Sequence, residues 1–173
     1  MSSLQPCLLG RRAVPKIWGG RAVVDRFQVV APDGSAIPDG TAIGETWECF
    51  DRPDGSSPLR GQGEEVTLAD WMRRDPQALL GGGAKPARGN RFPLLIKFID
   101  AAEALSVQVH PDDDQVLDDS DDGKPEAWVV LDAGPKARIL HGLKEGVTKD
   151  EFATALTEDS PVGGVGGRSV ELL

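Results

Sequence analysis

The chain has 173 residues, enough for one domain with a real core, and its 28 acidic and 19 basic side chains give a formal charge of −9. Lys and Arg form no stripe that could neutralise a phosphate backbone, which argues against a nucleic-acid partner, and nothing marks a membrane-surface protein. The opening MSSLQPCLLGRRAVPKIWGG has a short apolar patch followed by two arginines, without the length of a spanning helix or the order of a secretory signal, so the expected compartment is the cytoplasm. Cys7 and Cys49 are then expected as reduced thiols, and their separation does not suit close-spaced metal ligands.

In chain order, 13 Pro and 21 Gly cut the sequence into short apolar runs with turn residues between them, a β-rich pattern. The runs predict strands over Arg21–Val30 and Gly44–Phe50, then a helix at LADWMRR behind the N-cap Thr67. Gly81 to Asn90 reads as a Gly-rich linker without the ending that a phosphate-cradling loop requires. Further strands are expected over Leu94–Ile99, Leu105–His110, Ala127–Leu131 and Ala137–Leu140. Thr148 and Glu151 form a capping box ahead of FATAL, and Pro161 to Arg168 reads as a second linker. No parallel βαβ alternation is visible.

Chemistry concentrates in two of these runs. In LSVQVH the two-residue period of a strand sets Leu105, Val107 and Val109 on a core face and Ser106, Gln108 and His110 on the other. In GKPEAWVVL it sets Lys124, Glu126 and Trp128 on one face and Ala127, Val129 and Leu131 on the other. If the two strands are neighbours, one pocket receives an amide, an imidazole and a carboxylate. His nitrogen and Glu oxygen are ordinary Zn²⁺ ligands, whereas a Gln oxygen is an uncommon one. Lys97 shares an apolar face with Leu95 and Ile99, where an ammonium needs an anion or a polar cavity. Taken singly, a histidine at a strand end is more often a surface or core residue, and Lys97 and Glu126 are more often solvated; their convergence is what points to a site. The acidic run DDDQVLDDSDDG fails as a calcium loop, because aligning Asp118, Ser120 and Asp122 as ligands puts Val129 where a bidentate Glu is required. It reads as a solvated loop whose first members, Pro111 to Asp113, can rim the pocket.

The motifs PLLIKFIDAAEALSVQVHPDD and GKPEAWVVLDAGPKARI, with weaker agreement at Trp18-Gly19-Gly20 and Gly44-Glu45-Thr46-Trp47, resemble the type I mannose-6-phosphate isomerases, a zinc-dependent cupin family. The resemblance covers Trp18 to about Leu156. It implies a mostly β, cupin-type jelly roll with a few short helices, and Zn²⁺ held by Gln108, His110 and Glu126. It assigns Lys97 and Lys124 to catalysis, and Ser106, Lys97, Lys124, Glu45 and Trp18 to contacts with a small phosphosugar. The implied reaction interconverts mannose 6-phosphate and fructose 6-phosphate, in a monomer or weakly self-associating protein without nucleic acid or membrane.

The family places a further metal-binding histidine and an active-site arginine in later strands, and this chain stops before them; His141, in a turn-like HGLKEG, does not stand where the family places a ligand. The chain is therefore expected to be a single, truncated catalytic domain, with an incomplete jelly roll, weak zinc binding and little turnover. Two other readings stand beside the isomerase: a non-catalytic cupin module that binds sugar or metal, and an inactive fragment of the enzyme.

Overall fold

The computed structural model describes residues 6–31, 33–61, 66–106, 108, 110–116, 122–143, 145–157 and 169–172. Val107, Val109, residues 117–121 of the acidic run and the Pro161–Arg168 linker lie outside the described residues. The chain is mostly sheet with a few short helices, and it forms two compact units: 1–105 with 112–123, and 106–111 with 124–173.

The first unit is built on a three-stranded antiparallel sheet in the order β2 (Arg12–Gly20), β3 (Ile43–Cys49), β7 (Ile96–Ile99). β3 and β7 lie within the runs where strands are expected, give or take a residue. β2 was not expected, and the reason is Pro15. Proline has no N–H for the ladder, so strands tolerate it at bulges; here the register slips on both sides of Pro15 and leaves Ile17 98% exposed. β1 (Leu8–Leu9) pairs with β6 (Leu59–Arg60), and β4 (Asp51–Arg52) with β5 (Gly55–Ser56).

The strand expected over Arg21–Val30 is instead largely a helix, α1 (Ala22–Phe27). Its β-branched valines suggested a strand. At helical spacing Val23, Val24 and Phe27 form one stripe, which packs with Val29, Ile37, Ile43, Ala13 and Phe98, while Asp25 and Arg26 face water. The helix start is satisfied from a distance: the Val23 N–H donates to Asp100 Oδ2 at 3.1 Å. Gly20 makes room for that carboxylate, since a Cβ there would stand 2.5–2.8 Å from its atoms. Gln28, in the left-handed region at φ 49°, closes the helix.

A second cluster gathers Cys49, Leu59 and Leu68 with Cys7, Leu9, Val66, Trp71, Leu79 and Phe92. Leu68 belongs to α2 (Leu68–Arg74), which starts where the N-cap pattern placed it. The Asp70 N–H donates to Thr67 Oγ1 at 3.3 Å and the Thr67 N–H donates to Asp70 Oδ2 at 2.8 Å, a reciprocal box. Replacing Thr67 with Ala should therefore cost about 1 kcal/mol of stability, read as a lower urea midpoint; an unchanged midpoint would discount the cap. α3 (Pro76–Leu80) follows, with proline at its first turn and Asp75 accepting from the Ala78 N–H.

In the second unit β8 (Ile139–Leu143) pairs antiparallel with β9 (Ser169–Leu172), and α4 (Lys149–Thr157) begins at the expected Thr148–Glu151 box. The strands expected over Leu105–His110 and Ala127–Leu131 do not form among the described residues. Their side-chain pattern suits a pleat, but a strand also needs a partner to take its ladder hydrogen bonds, and among the described residues none of the strand pairs involves either run. Trp128, Val129, Val130 and Leu131 are all exposed.

Candidate metal and substrate site

Two polar clusters hold the candidate site residues, one in each unit. In the second unit, the Lys124 N–H donates to the Pro111 carbonyl at 3.0 Å, which brings the run that carries Glu126 beside His110 and Pro111. His110 Nε2 then stands 3.7 Å from Glu126 Oε2. Lys124 Nζ lies 3.6 Å from Glu126 Oε1, and the Trp128 indole N–H reaches Glu126 Oε2 at 3.4 Å. The three side chains assigned to one face of GKPEAW thus do gather, with Glu126 at the centre, although the backbone that carries them is not a strand.

The two heteroatoms suit a zinc ion. At ordinary Zn–N and Zn–O lengths, two donors on one tetrahedral ion stand roughly 3.3 Å apart, and the 3.7 Å separation is close to that spacing while being long for a direct hydrogen bond. Gln108 is placed differently. Its Nε2 donates to Ser106 Oγ at 3.0 Å, which engages the amide nitrogen and not the carbonyl oxygen a metal would take. Among the described residues no three His, Cys, Asp or Glu side chains group for a metal. The side chains that could hold a metal here are His110 and Glu126, with Gln108 two residues before His110 on the same run. His141 sits exposed on β8.

In the first unit the polar face of the sheet carries Glu45, Trp47 and Lys97. Register explains it: Glu45 pairs with Val14 and Ile99, Trp47 with Arg12 and Lys97, so the three share one side of the pleat. Thr46 and Glu48 take the other side, where Arg11 grips the Glu48 carboxylate, with Nη2 to Oε2 at 2.8 Å. Glu45 is buried, and both of its oxygens are engaged: Lys97 Nζ donates to Oε1 at 3.0 Å and the Trp47 indole N–H to Oε2 at 2.8 Å. The ammonium on an apolar strand thus has the anion it needs. Trp18 lies over Gly44, where a Cβ would stand 2.6 Å from its ring. Gly19 meets the Ile43–Gly44 backbone more tightly still, so the Trp-Gly-Gly and Gly-Glu-Thr-Trp motifs are two halves of one close strand crossing.

Burial on its own would raise the Glu45 carboxyl. Hydrogen bonds from Trp47 and Lys97 and the charges of Lys97 and Lys16 outweigh it, and the group sits below the ordinary carboxylate value. A depressed folded value means stability that is fully present above the unfolded value, about 4.3, and lost as pH falls through the folded one. The stability advantage of the native chain over Glu45→Gln should therefore shrink as pH drops from 7 towards 3, checked by urea unfolding of both at each pH; a constant or growing gap would contradict the assignment.

Trp47 did not stand among the expected site residues, although the alternation in GETWEC, with Glu45 and Trp47 two apart, is the signal that pairs them. The cysteines take no part. Burial, with the nearby Asp51 charge, pushes the Cys49 thiol up, away from the thiolate that reacts or binds metal.

The phosphomannose isomerase type I catalytic domain model matches residues 9–160. Mannose-6-phosphate isomerase from Streptococcus mutans is 33% identical over 149 residues, 86% of this chain and 43% of that protein. Mannose-6-phosphate isomerase ManA from Bacillus subtilis is 33% identical over 144 residues, 82% and 41% respectively. The crystal structure of the mannose 6-phosphate isomerase from Bacillus subtilis superposes with a TM-score of 0.75 at 29% identity, over 98% of this chain and 49% of that one, and the mostly β architecture is accordingly the cupin type. This chain spans less than half the length of these relatives. No helix among its described residues is long and apolar enough to cross a membrane. The match over residues 9–160, the agreement in fold and the pairing of His110 with Glu126 lead to one conclusion: the chain belongs to the phosphomannose isomerase type I catalytic domain family.

Proposed function

We propose that this chain serves a zinc-dependent aldose–ketose isomerase acting between mannose 6-phosphate and fructose 6-phosphate. The observation that supports it best is the approach of His110 Nε2 to Glu126 Oε2 beside the Lys124 ammonium, in a member of this family. The reaction moves a proton from C2 to C1 of the sugar while the carbonyl passes from C1 to C2, through an enediol, and consumes no oxidant or reductant. His110, Glu126 and the Gln108 amide oxygen would hold Zn²⁺, which supplies Lewis-acid stabilisation of charge developing on sugar oxygens.

The chain's other residues divide the remaining work. Lys124, with its side chain 42% exposed, keeps an ammonium available to an anionic sugar while staying within 3.6 Å of Glu126. Lys97, in the first unit, offers a positive charge from a fixed position, because its anion partner is buried. Ser106 contributes a hydroxyl next to Gln108, and Trp18 an indole surface of the kind that sugar rings pack against. Glu45 serves as the anchor of Lys97 and not as a proton acceptor, since both of its oxygens already accept hydrogen bonds and its carboxyl is held ionised. The partner is a small phosphosugar and the setting a reducing cytoplasm, in keeping with two free thiols.

The test is to load the purified chain with Zn²⁺, measure mannose 6-phosphate binding by calorimetry and assay fructose 6-phosphate formation. Binding that weakens about tenfold in Lys124→Met, the scale of one lost charge-assisted hydrogen bond, is the expected result. Because little turnover is expected of this chain, binding decides: a zinc-loaded chain that does not bind the sugar phosphate would overturn the reading.

A further inference from the structure

We propose that Trp47 is a positioning residue: its indole N–H fixes the Glu45 carboxylate so that the opposite oxygen holds the Lys97 ammonium on the polar face of the sheet. The part this plays in turnover rests on the reading of Lys97 as a substrate contact.

Trp47 stands directly opposite Lys97 on the neighbouring strand, and Glu45 opposite Ile99. Lys97 therefore reaches Glu45 along the diagonal of the ladder, a span that a long side chain covers with many rotamers to choose from. A carboxylate alone does not choose among them, because its two oxygens are equivalent and the group rotates. Trp47 removes that freedom. Its N–H takes Oε2 at 2.8 Å and leaves Oε1 for Lys97 at 3.0 Å.

The indole can act as a fixed donor because it is itself held. The Arg12 guanidinium lies 5.1 Å from the centre of its ring, and the same guanidinium is tied to Asp54 at 2.9 Å. Phe50 meets the ring edge-on at 5.4 Å. Two contacts from different elements thus set the ring plane and with it the direction of the N–H. The cations that bear on Glu45 are Lys97 from β7 and Lys16 from β2. Lys16 acts on the carboxylate through its charge, whereas Trp47 and Lys97 both hydrogen-bond to it, so direction comes from those two together. Glu45 is 7% exposed, so water does not readily replace a lost donor. An indole present merely as filler would work equally well without its N–H, and that difference can be tested.

The experiment replaces Trp47 by benzothienylalanine, an isostere with sulfur in place of the N–H, and by Phe, which also removes volume. Carboxyl ¹³C NMR follows the titration of Glu45, ¹⁵N NMR follows the Lys97 ammonium, and mannose 6-phosphate binding is measured on the same zinc-loaded samples. In the isostere the Glu45 titration should move upward towards the ordinary carboxylate range, the Lys97 ammonium signal should broaden or vanish through faster exchange, and mannose 6-phosphate affinity should fall several-fold. Phe should do the same, and if it fails to fold the isostere decides alone. If the isostere leaves the Glu45 titration and the Lys97 ammonium signal as they are in the native chain, the positioning role is wrong. Lys97→Met is the separate check on the underlying reading: unchanged sugar-phosphate affinity in that variant removes Lys97 from the substrate site, whatever the Trp47 spectra show.

Discussion

His110→Ala should lower the affinity of this chain for Zn²⁺ by at least about 100-fold. Loss of a partner one shell out from a zinc ion costs 10- to 100-fold, and loss of a direct ligand belongs at or above the top of that range. The expectation is strong here because the pair has little redundancy: among the described residues no third His, Cys, Asp or Glu joins His110 and Glu126, and Gln108 is a weak donor whose amide nitrogen is engaged with Ser106. Removing the imidazole leaves one carboxylate that is already shared between Lys124 and Trp128. His141→Ala is the control, since that residue stands exposed on β8 and should bind as the native chain does. Competition against a chromophoric chelator at fixed pH reads both. Equal affinities for the native chain and His110→Ala would remove the metal from this site, and a loss confined to His141→Ala would move it elsewhere.

What could be read in the residues, and what could not, follows a physical division. The boxes at Thr67 and Thr148 involve side chains and backbone within four positions of each other, so local sequence contains the whole interaction, and both helices start where expected. β3 and β7 were legible from alternation. The approach of His110 to Glu126 was visible in the residue types and in the resemblance, while the strands assumed to carry them do not form among the described residues: a period-2 pattern says which side chains share a face and is silent on whether a neighbour exists to accept the backbone. β2 was hidden by Pro15, which forbids a regular ladder but not a bulged one. α1 was misread because its decisive interaction is remote. Without the Asp100 carboxylate, 77 positions along the chain, Ala22–Phe27 has no side-chain cap of its own and valines that prefer strands. Trp47 belongs to the same class: alternation places it beside Glu45, but its bond to one particular oxygen depends on rotamers set by Arg12 and Phe50.

Gly19→Ala should destabilise the first unit by about 3 kcal/mol, the upper end of what overpacking costs. A Cβ at this position would stand 2.4 Å from the Gly44 nitrogen, 2.6 Å from the Ile43 carbonyl carbon and 2.8 Å from the Gly44 Cα. All three are backbone atoms in the central strand of the sheet, so no flexible side chain can swing aside, and relief requires β2 and β3 to move apart. That movement reaches the polar cluster directly, because Ile43 and Glu45 lie on the displaced strand and Trp18 rests on Gly44. The apolar cluster is affected too, since Ile43 is 2% exposed and packs with Val23 and Val24. Gly20→Ala should be milder: its Cβ would meet the Asp100 carboxylate, which can rotate away at the expense of the bond to the Val23 N–H, a loss on the scale of one N-cap, about 1 kcal/mol. Gly134→Ala, with nothing within 4 Å of its added carbon, is the neutral control. Urea unfolding followed by tryptophan fluorescence ranks the three, with Gly19→Ala well below Gly20→Ala and Gly134→Ala near the native midpoint. A Gly19→Ala variant as stable as the native chain would mean that the strand crossing is looser than its geometry requires, and that the conformation around Glu45 does not depend on it.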